Sequence, residues 1–580
     1  MKYIYIVLLF LFLSSCNSLL EENPESFINP DTYFNNAEQA LTSVNGVYAA
    51  MLNRSNSPFM DLHLKKDIGT SVSAARSNNE TLNIYSFTSS ARDIKEIYRG
   101  YYLAIERANC TINRISKMDP EVTHIKEPLQ NRLLSEAKFI RAYSYFGLVR
   151  LYGAVPLNVT EVRYDDNFQM SRNSVAEVYK QIIEDLEFAS EWLYFKTGSS
   201  LSPSYGVDDV GRVSRCAANG LLAKVYLTAA SMKRHSHMSE AWNLTMNSYD
   251  WVDELLYYQK AKEYGEKVVG FAHDGANVGL EDDVVAPFYY SNENNKESLF
   301  ELQLIEETGY KGLSAGSMSG IFGNSSKPTS GKYRITLANG FIESFIQNYT
   351  SDDLDYTNSD PRMVAFLNVY LWKGKNPKYI NLIEPNKFSF VKYKTTARCF
   401  FEHDQNQVLL RYADILLVLA EANNELGDQA SAAKYVNIIR ARARRGSTIS
   451  KDMDAPIGVN YPESSQPEDV LTSLTQEEML EVVYQERKWE LCYEGQTRFD
   501  AVRMGRLVSE IKAQHLYKKP SKKSAKFTYF QQRAQGISAV FDPKKITPGA
   551  ENIRQHHILF PIPMDELNRN IGIVSQNVGY

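Results

Sequence analysis

The chain has 580 residues and a net charge of −5 at pH 7, with 23% charged residues and no block of Lys or Arg. That balance excludes the concentrated basic face a nucleic-acid partner requires, and the length allows a large core and two to four lobes. Beyond residue 13 no apolar run approaches a transmembrane span; the richest, residues 415–420, lies between Asp414 and Glu421.

Residues 3–13 (YIYIVLLFLFL) follow a single Lys2 and lead into Leu13-Ser14-Ser15-Cys16. A run this short has the form of a secretory h-region, and the small residues before Cys16 have the form of a bacterial lipobox. Cys16 is therefore the expected lipidation site, where two or three acyl chains anchor a body that does not itself span the membrane. A plain secretion signal is the alternative. Cys110, Cys216, Cys399 and Cys492 are widely spaced with no CxxC pair, so they read as buried small residues, not as a metal site or disulfide framework.

Apolar spacing predicts a helix over residues 36–51, and residues 133–151 are apolar nearly all round, as in a central buried helix. Gly153 and Pro156 stop it. Ser174-Val-Ala-Glu177 is a capping box that opens another helix, and further helices are expected over 215–230 and 251–271. Residues 409–426 and 430–444 read as a helical hairpin turning at Gly427. Thr475-Gln-Glu-Glu478 is a second capping box, with a helix running to about Glu494. Two stretches differ. Residues 53–92 are polar and insert-like, and residues 272–405 hold a strand over 299–305 and a Gly/Ser-rich loop over 309–332, the kind of segment on which recognition is usually carried.

Several features imitate catalysis. Gly312-Leu-Ser314-Ala-Gly316 fits a nucleophile elbow by pattern but lacks the following helix. His235, His237, His556 and His557 lack zinc spacing and read as exposed surface residues. Asp352, Asp353 and Asp355 open like a calcium loop without its glycine and closing glutamate. Glu486, Arg487, Glu490, Glu494, Arg498, Asp500 and Arg503 include carboxylate pairs of the kind glycosidases use. Alternating charges at helical spacing more simply give ion pairs pinning two helices.

Six segments then make a resemblance: residues 37–51 (AEQALTSVNGVYAAM), 136–157 (EAKFIRAYSYFGLVRLYGAVPL), Gly211-Arg212-Val213, 410–421 (LRYADILLVLAE), 486–506 (ERKWELCYEGQTRFDAVRMGR) and 559–580 (LFPIPMDELNRNIGIVSQNVGY). In order and spacing the chain resembles the SusD/RagB family of outer-membrane nutrient-binding lipoproteins, departing at Val578, where the closing motif usually has proline. The resemblance implies a mainly α fold, a right-handed superhelix of four TPR-like helix pairs with a loop-rich, mixed second half. The implied organisation is a signal peptide (1–15), a flexible lipid-anchored leader (16–35) and a helical scaffold (36–271) with a ligand-side insert near 53–92. A loop-rich ligand-binding elaboration (272–405), a last helical hairpin (406–445) and a C-terminal region (446–580) follow.

The implied activity is binding without catalysis or cofactor. The lipoprotein sits outside the cell on the outer membrane, over a SusC-like TonB-dependent transporter, captures an oligosaccharide and closes as a hinged lid. The family's motifs lie in the scaffold, so ligand contacts are sought in the two insert-like stretches: Asp67, Asn83 and Tyr85 in the first, Tyr310, Phe322 and Tyr333 in the second, with Trp372 as an outlying platform. The 37 Tyr and 27 Phe suit sugar stacking, although such rings also serve as core. A peptide-capturing lid, a TPR-like surface scaffold and a hydrolase are the competing readings.

Overall fold

Asn36, extended and accepting the Gln39 amide on its side chain, opens α1 (Ala37–Met51). After the short strand β1 (Ser73–Ala75) come α2 (Arg92–Ile115), the single turn α3 (Pro120–Thr123), α4 (Glu127–Tyr152), α5 (Val175–Trp192), α6 (Arg215–His235) and α7 (Glu254–His273). This computed structural model describes residues 33–52, 67–75, 80–162, 169–304, 335–338, 340, 341, 344, 360–368, 370–373, 376–379, 389, 390, 406–445, 463–517 and 541–580. Helices dominate them, and none is long and apolar enough to cross a membrane.

Each helix packs chiefly on its neighbours in the chain: α1 and α4 on α2, α4 on α5, α5 on α6, and α6 on α7. The middle of this stack is α4, buried continuously from Arg132 to Gly147 and on to Tyr152 except at Lys138 and Arg150. Gly153 ends it in a left-handed conformation (φ 70°). Both expected capping boxes form; Ser174 and Glu177 exchange side-chain and backbone bonds at the start of α5. The reading of 53–92 as an insert stopped short of α2, whose buried Ile94, Ile97, Tyr98, Tyr101, Ala104, Ile105 and Ala108 repeat at helical spacing.

The second half adds β2 (Ser298–Leu302), β3 (Ile335–Leu337), α8 (Arg362–Phe366), β4 (Leu367–Asn368), β5 (Tyr370–Lys373), β6 (Asn376–Tyr379), β7 (Ser389–Phe390) and β8 (Gln407–Arg411). Strands β2 and β8 pair antiparallel and are buried at every residue. Residues 409–411, expected to be helical, therefore belong to a strand. A short apolar run buried on both faces has no periodicity to separate the two states. The helix starts at Tyr412 as α9 (Tyr412–Glu425), turns at Gly427 (φ 82°) and returns as α10 (Gln429–Arg444). Then follow α11 (Gln476–Glu490), α12 (Thr497–Arg503), α13 (Leu507–Lys512), β9 (His515–Tyr517), β10 (Phe541–Ile546), α14 (Pro548–Asn552) and α15 (Met564–Arg569). The expected helix to Glu494 stops at Glu490, because the chain turns through left-handed Tyr493 and Gly495.

The closing segment is sewn into the first half. The Phe560 amide donates to the Leu151 carbonyl, and the Asn577 side-chain amide donates to the carbonyls of Tyr152 and Phe560. His557 is buried there, not exposed as expected. Its Nδ1 accepts the Arg554 amide at 2.9 Å, and burial with nearby positive charge lowers its imidazole to about 3. Cys216 and Cys492 are buried and Cys110 is half-buried, none of the three in a disulfide; Cys399 and the aspartates at 352, 353 and 355 lie outside the described residues.

Where α2 crosses α4, a Cβ on Gly147 would lie 2.3 Å from Cζ of the buried Tyr101 ring. Gly147→Ala is expected to cost about 1–3 kcal/mol through overpacking, despite alanine's better helix propensity. Urea unfolding measures this, and an unchanged midpoint would mean that the two helices can separate freely.

Candidate functional site

Two segments far apart in the sequence are the candidate suppliers of ligand contacts, and the backbone joins them. Strand β1 pairs antiparallel with β3, with Ser73 opposite Leu337 and Ala75 opposite Ile335. The Ala338 amide continues the ladder to the Val72 carbonyl at 2.8 Å. Strand β3 in turn neighbours β7, which pairs with β4, and the hairpin of β5 and β6 follows β4 directly. The first insert-like stretch and the middle of the chain thus meet at one place.

Of the three candidate residues in the first stretch, two are buried beside that joint. Asp67 is 2% exposed and accepts the Arg498 amide at 3.0 Å. Tyr85 is also 2% exposed, holds a left-handed backbone (φ 52°), donates its hydroxyl to the Gly69 carbonyl and lays its ring against His557. Neither presents a surface to a ligand; burial makes both supports of the loop, which corrects the expectation for them. Burial also pushes the Tyr85 phenol up to about 12, so it stays a neutral donor. Asn83 is half-buried, its backbone close against Gly549. Trp372 stands in β5 opposite Pro377 of β6. Tyr310, Phe322, Tyr333 and Gly312–Gly316 lie outside the described residues, as does Cys16.

Further bonds fix the first insert-like stretch to the C-terminal region. The Gln514 side chain donates to the Thr70 carbonyl, the Asn552 side chain to that of Ile84, and the Met564 amide to that of Ser89. A separate crevice lined by Lys196, Tyr205, Arg212, Asn294 and Glu301 has room for about one water, too little for a sugar ring.

The charged residues of 486–503 do form ion pairs, and in a larger lattice than the local sequence indicates. Arg411 donates to Glu297, Glu490 and Glu494, each at 2.7 Å, and Arg442 spans Glu297 and Glu490. Arg362 reaches Asp360, Glu486 and Glu490, while Arg440 takes the other oxygen of Glu486. Beside it, Asp414 is held by Lys224 and Arg487, and Asp500 by Arg487 and Arg503, with Arg503 also on Glu421. Arg498 differs: it caps the His557 carbonyl and lies over the Phe560 ring. Spacing on α11 marks Glu486 and Glu490; their partners Arg362, Arg411, Arg440 and Arg442 come from distant segments and carry no local signal, as is true of Lys224 opposite Asp414.

This arrangement bears on chemistry. Glu486, Glu490 and Glu494 are buried and bonded to guanidinium groups, a poor setting for a general acid facing substrate. Burial alone would raise the Asp414 carboxyl, but Lys224 and Arg487 outweigh it and hold it well below the usual carboxylate range. Among the described residues no group of three His, Cys, Asp or Glu side chains is placed to hold a metal ion.

Comparison with known proteins accounts for most of the length. The model of the SusD family matches residues 366–580, and a second family model, described as starch-binding associating with outer membrane, matches residues 19–227. SusD-like protein P25 of Formosa agariphila is 24% identical, over 97% of this chain and 96% of that protein. A SusD homolog from Bacteroides thetaiotaomicron has the same fold, with a TM-score of 0.72 and 21% identity over 95% of this chain and 98% of that one. A laminarin-binding SusD-like protein superposes with a TM-score of 0.62 at 20% identity, over 94% of this chain and all of that one.

The lattice makes stability depend on pH in a defined sense. Asp414 has a lower pKa folded than unfolded, so its contribution is present above about pH 4 and is lost as pH falls through the folded value. Acid should therefore lower the urea midpoint progressively below about pH 4. Asp414→Asn should flatten that slope while costing about 3–5 kcal/mol at neutral pH, because it strands Lys224 and Arg487. Parallel acid profiles for the two proteins would remove Asp414 from the account.

Proposed function

The chain belongs to the SusD/RagB family, and from that premise we propose that it is a lipid-anchored binding protein of the outer membrane that captures an oligosaccharide. In this reading it faces the exterior, binds without catalysis and passes its ligand to a SusC-like TonB-dependent transporter, over which it opens and closes as a hinged lid. The observation that carries the proposal is the pair of family matches, one of them named for starch binding in association with the outer membrane. The laminarin-binding protein of the same fold supports a glycan ligand, and the lipobox at Cys16 supports the anchor.

The ligand site is proposed at the joint of β1 and β3, with contacts from Tyr310, Phe322, Tyr333 and Trp372 and a lesser one from Asn83. Flat rings suit this task because the C–H face of a pyranose covers apolar ring area while its hydroxyls remain free to hydrogen-bond. The buried Asp67 and Tyr85 hold the loop.

The test is isothermal titration of protein beginning at Asn17 against a panel of oligosaccharides and peptides. Saturable binding to one glycan class without turnover is expected; binding to peptides alone selects the peptide-capturing lid instead. Replacing Tyr310, Phe322 and Tyr333 together with Ala should weaken the bound glycan at least about ten-fold, since hot-spot aromatics cost about 1–2 kcal/mol or more each. Unchanged affinity with the fold retained would overturn the assignment of those rings. Separately, Cys16→Ala should abolish metabolic labelling by a fatty-acid probe and release the protein from the membrane fraction.

A further inference from the structure

At residues 187–264, which lie between the two insert-like stretches, α5, α6 and α7 build an aromatic corner around a carboxylate. Glu187 of α5 is exposed, yet its Oε1 accepts two phenol hydroxyls, from Tyr226 of α6 at 3.3 Å and Tyr264 of α7 at 3.2 Å. Among the described residues nothing donates to Oε2 and no cation pairs with the group. The two phenols are almost buried, their rings stacked 5.7 Å apart at 6°. Tyr257 crosses the Tyr226 ring at 71°, and Trp251 meets Tyr257 at 77° with centroids 5.8 Å apart. Tyr257 and Trp251 are both partly exposed.

Each part of the corner is held from within. Trp251 lies nearly parallel to Tyr249 beneath it (26°) and donates Nε1–H to the Ser248 carbonyl at 3.0 Å. Tyr226 and Tyr264, with phenols raised above the ordinary value first by burial and next by Glu187, keep their protons and fix one carboxylate oxygen, so the other has a set direction. Lys267 lies 4.3 Å from the Tyr264 ring centre and pairs with Glu263, and Lys233 pairs with Asp250 beside Trp251. The local charges are thus already matched apart from Glu187, which disfavours an anionic ligand. Two ring walls at a right angle also fall short of the enclosing cage that a quaternary ammonium group takes.

We propose that this corner is a second carbohydrate site, where a neutral pyranose covers the exposed faces of Trp251 and Tyr257 and donates a hydroxyl to Glu187 Oε2. A charged acceptor strengthens such a bond roughly two-fold over a neutral one. The inference rests on the glycan reading above and adds to it: a long polysaccharide held here is presented to the lid site at raised effective concentration, so chains gain over short oligomers.

The test uses the mature lipoprotein in detergent, with laminarin, soluble starch and xylan as probes, each beside a hexasaccharide of the same sugar. Binding is measured for the native protein, for the Trp251→Ala/Tyr257→Ala variant and for Glu187→Gln. The advantage of polymer over hexasaccharide should fall about ten-fold in the double variant and about three-fold in Glu187→Gln. The latter is an exposed change that leaves the core intact, so it decides the matter if the double variant does not fold. An undiminished polymer advantage in Glu187→Gln, binding of tetramethylammonium in place of sugars, or no binding of any of the three polymers would each overturn the proposal. Loss confined to the Tyr310/Phe322/Tyr333 variant leaves the lid reading standing and this one not; loss confined to the corner variants does the reverse.

Discussion

The buried ion lattice around Arg411 and Glu490 is the constraint on which the second half depends. Its charges come from Glu297 just before β2, Lys224 of α6, the residues before and within α8, β8, α9, α10, α11, Glu494 beyond it and α12, segments far apart in the sequence. Apolar packing tolerates sliding, whereas a guanidinium between two carboxylates fixes distance and orientation at once. Burial of so many charges is costly in water-to-protein transfer and is recovered only when every partner is in place. The lattice therefore acts less as a source of stability than as a register, admitting one arrangement of the strand pair and the helices around it.

A second contact of the same logic crosses between the halves. Arg150 of α4 lies between the rings of Phe146 and Phe499, 3.8 and 3.7 Å from their centres, and donates Nε–H to the Phe146 carbonyl. Helix α12, which carries Phe499, also contributes Asp500 and Arg503 to the ion lattice. The helical stack and the lattice are thus tied through this short helix as well as through Lys224 of α6 on Asp414.

Legibility in the sequence followed how local each cause was. The capping boxes at Ser174 and Thr475, the stop at Gly153 and the turn at Gly427 are set by neighbouring residues and were readable as written. The acids of α11 were readable as ion-pair formers by their spacing, while Arg362 and Lys224 were not, since nothing near them names a partner. Residues 409–411 failed because strand and buried helix share the same apolar composition. Asp67 and Tyr85 depart for another reason: polar and aromatic character in an insert suits ligand contact, and the same properties serve to anchor the loop itself. The pairing of β1 with β3 was outside local reasoning altogether, although both of its segments had been singled out.

The clasp that closes the fold has a kinetic meaning. Asn570 exchanges bonds with Met170, and Arg172 holds Ser575 and Asn577, partners some 400 positions apart. Helices α4, α5 and α6 pack on neighbours close in the chain, yet the end of α4 is sealed by residues 559–577, which lie some 400 positions further on. Contacts of such separation are formed late and against the greatest loss of chain entropy. The helical stack and its closing segment are therefore expected to become a single body only at the last step of folding.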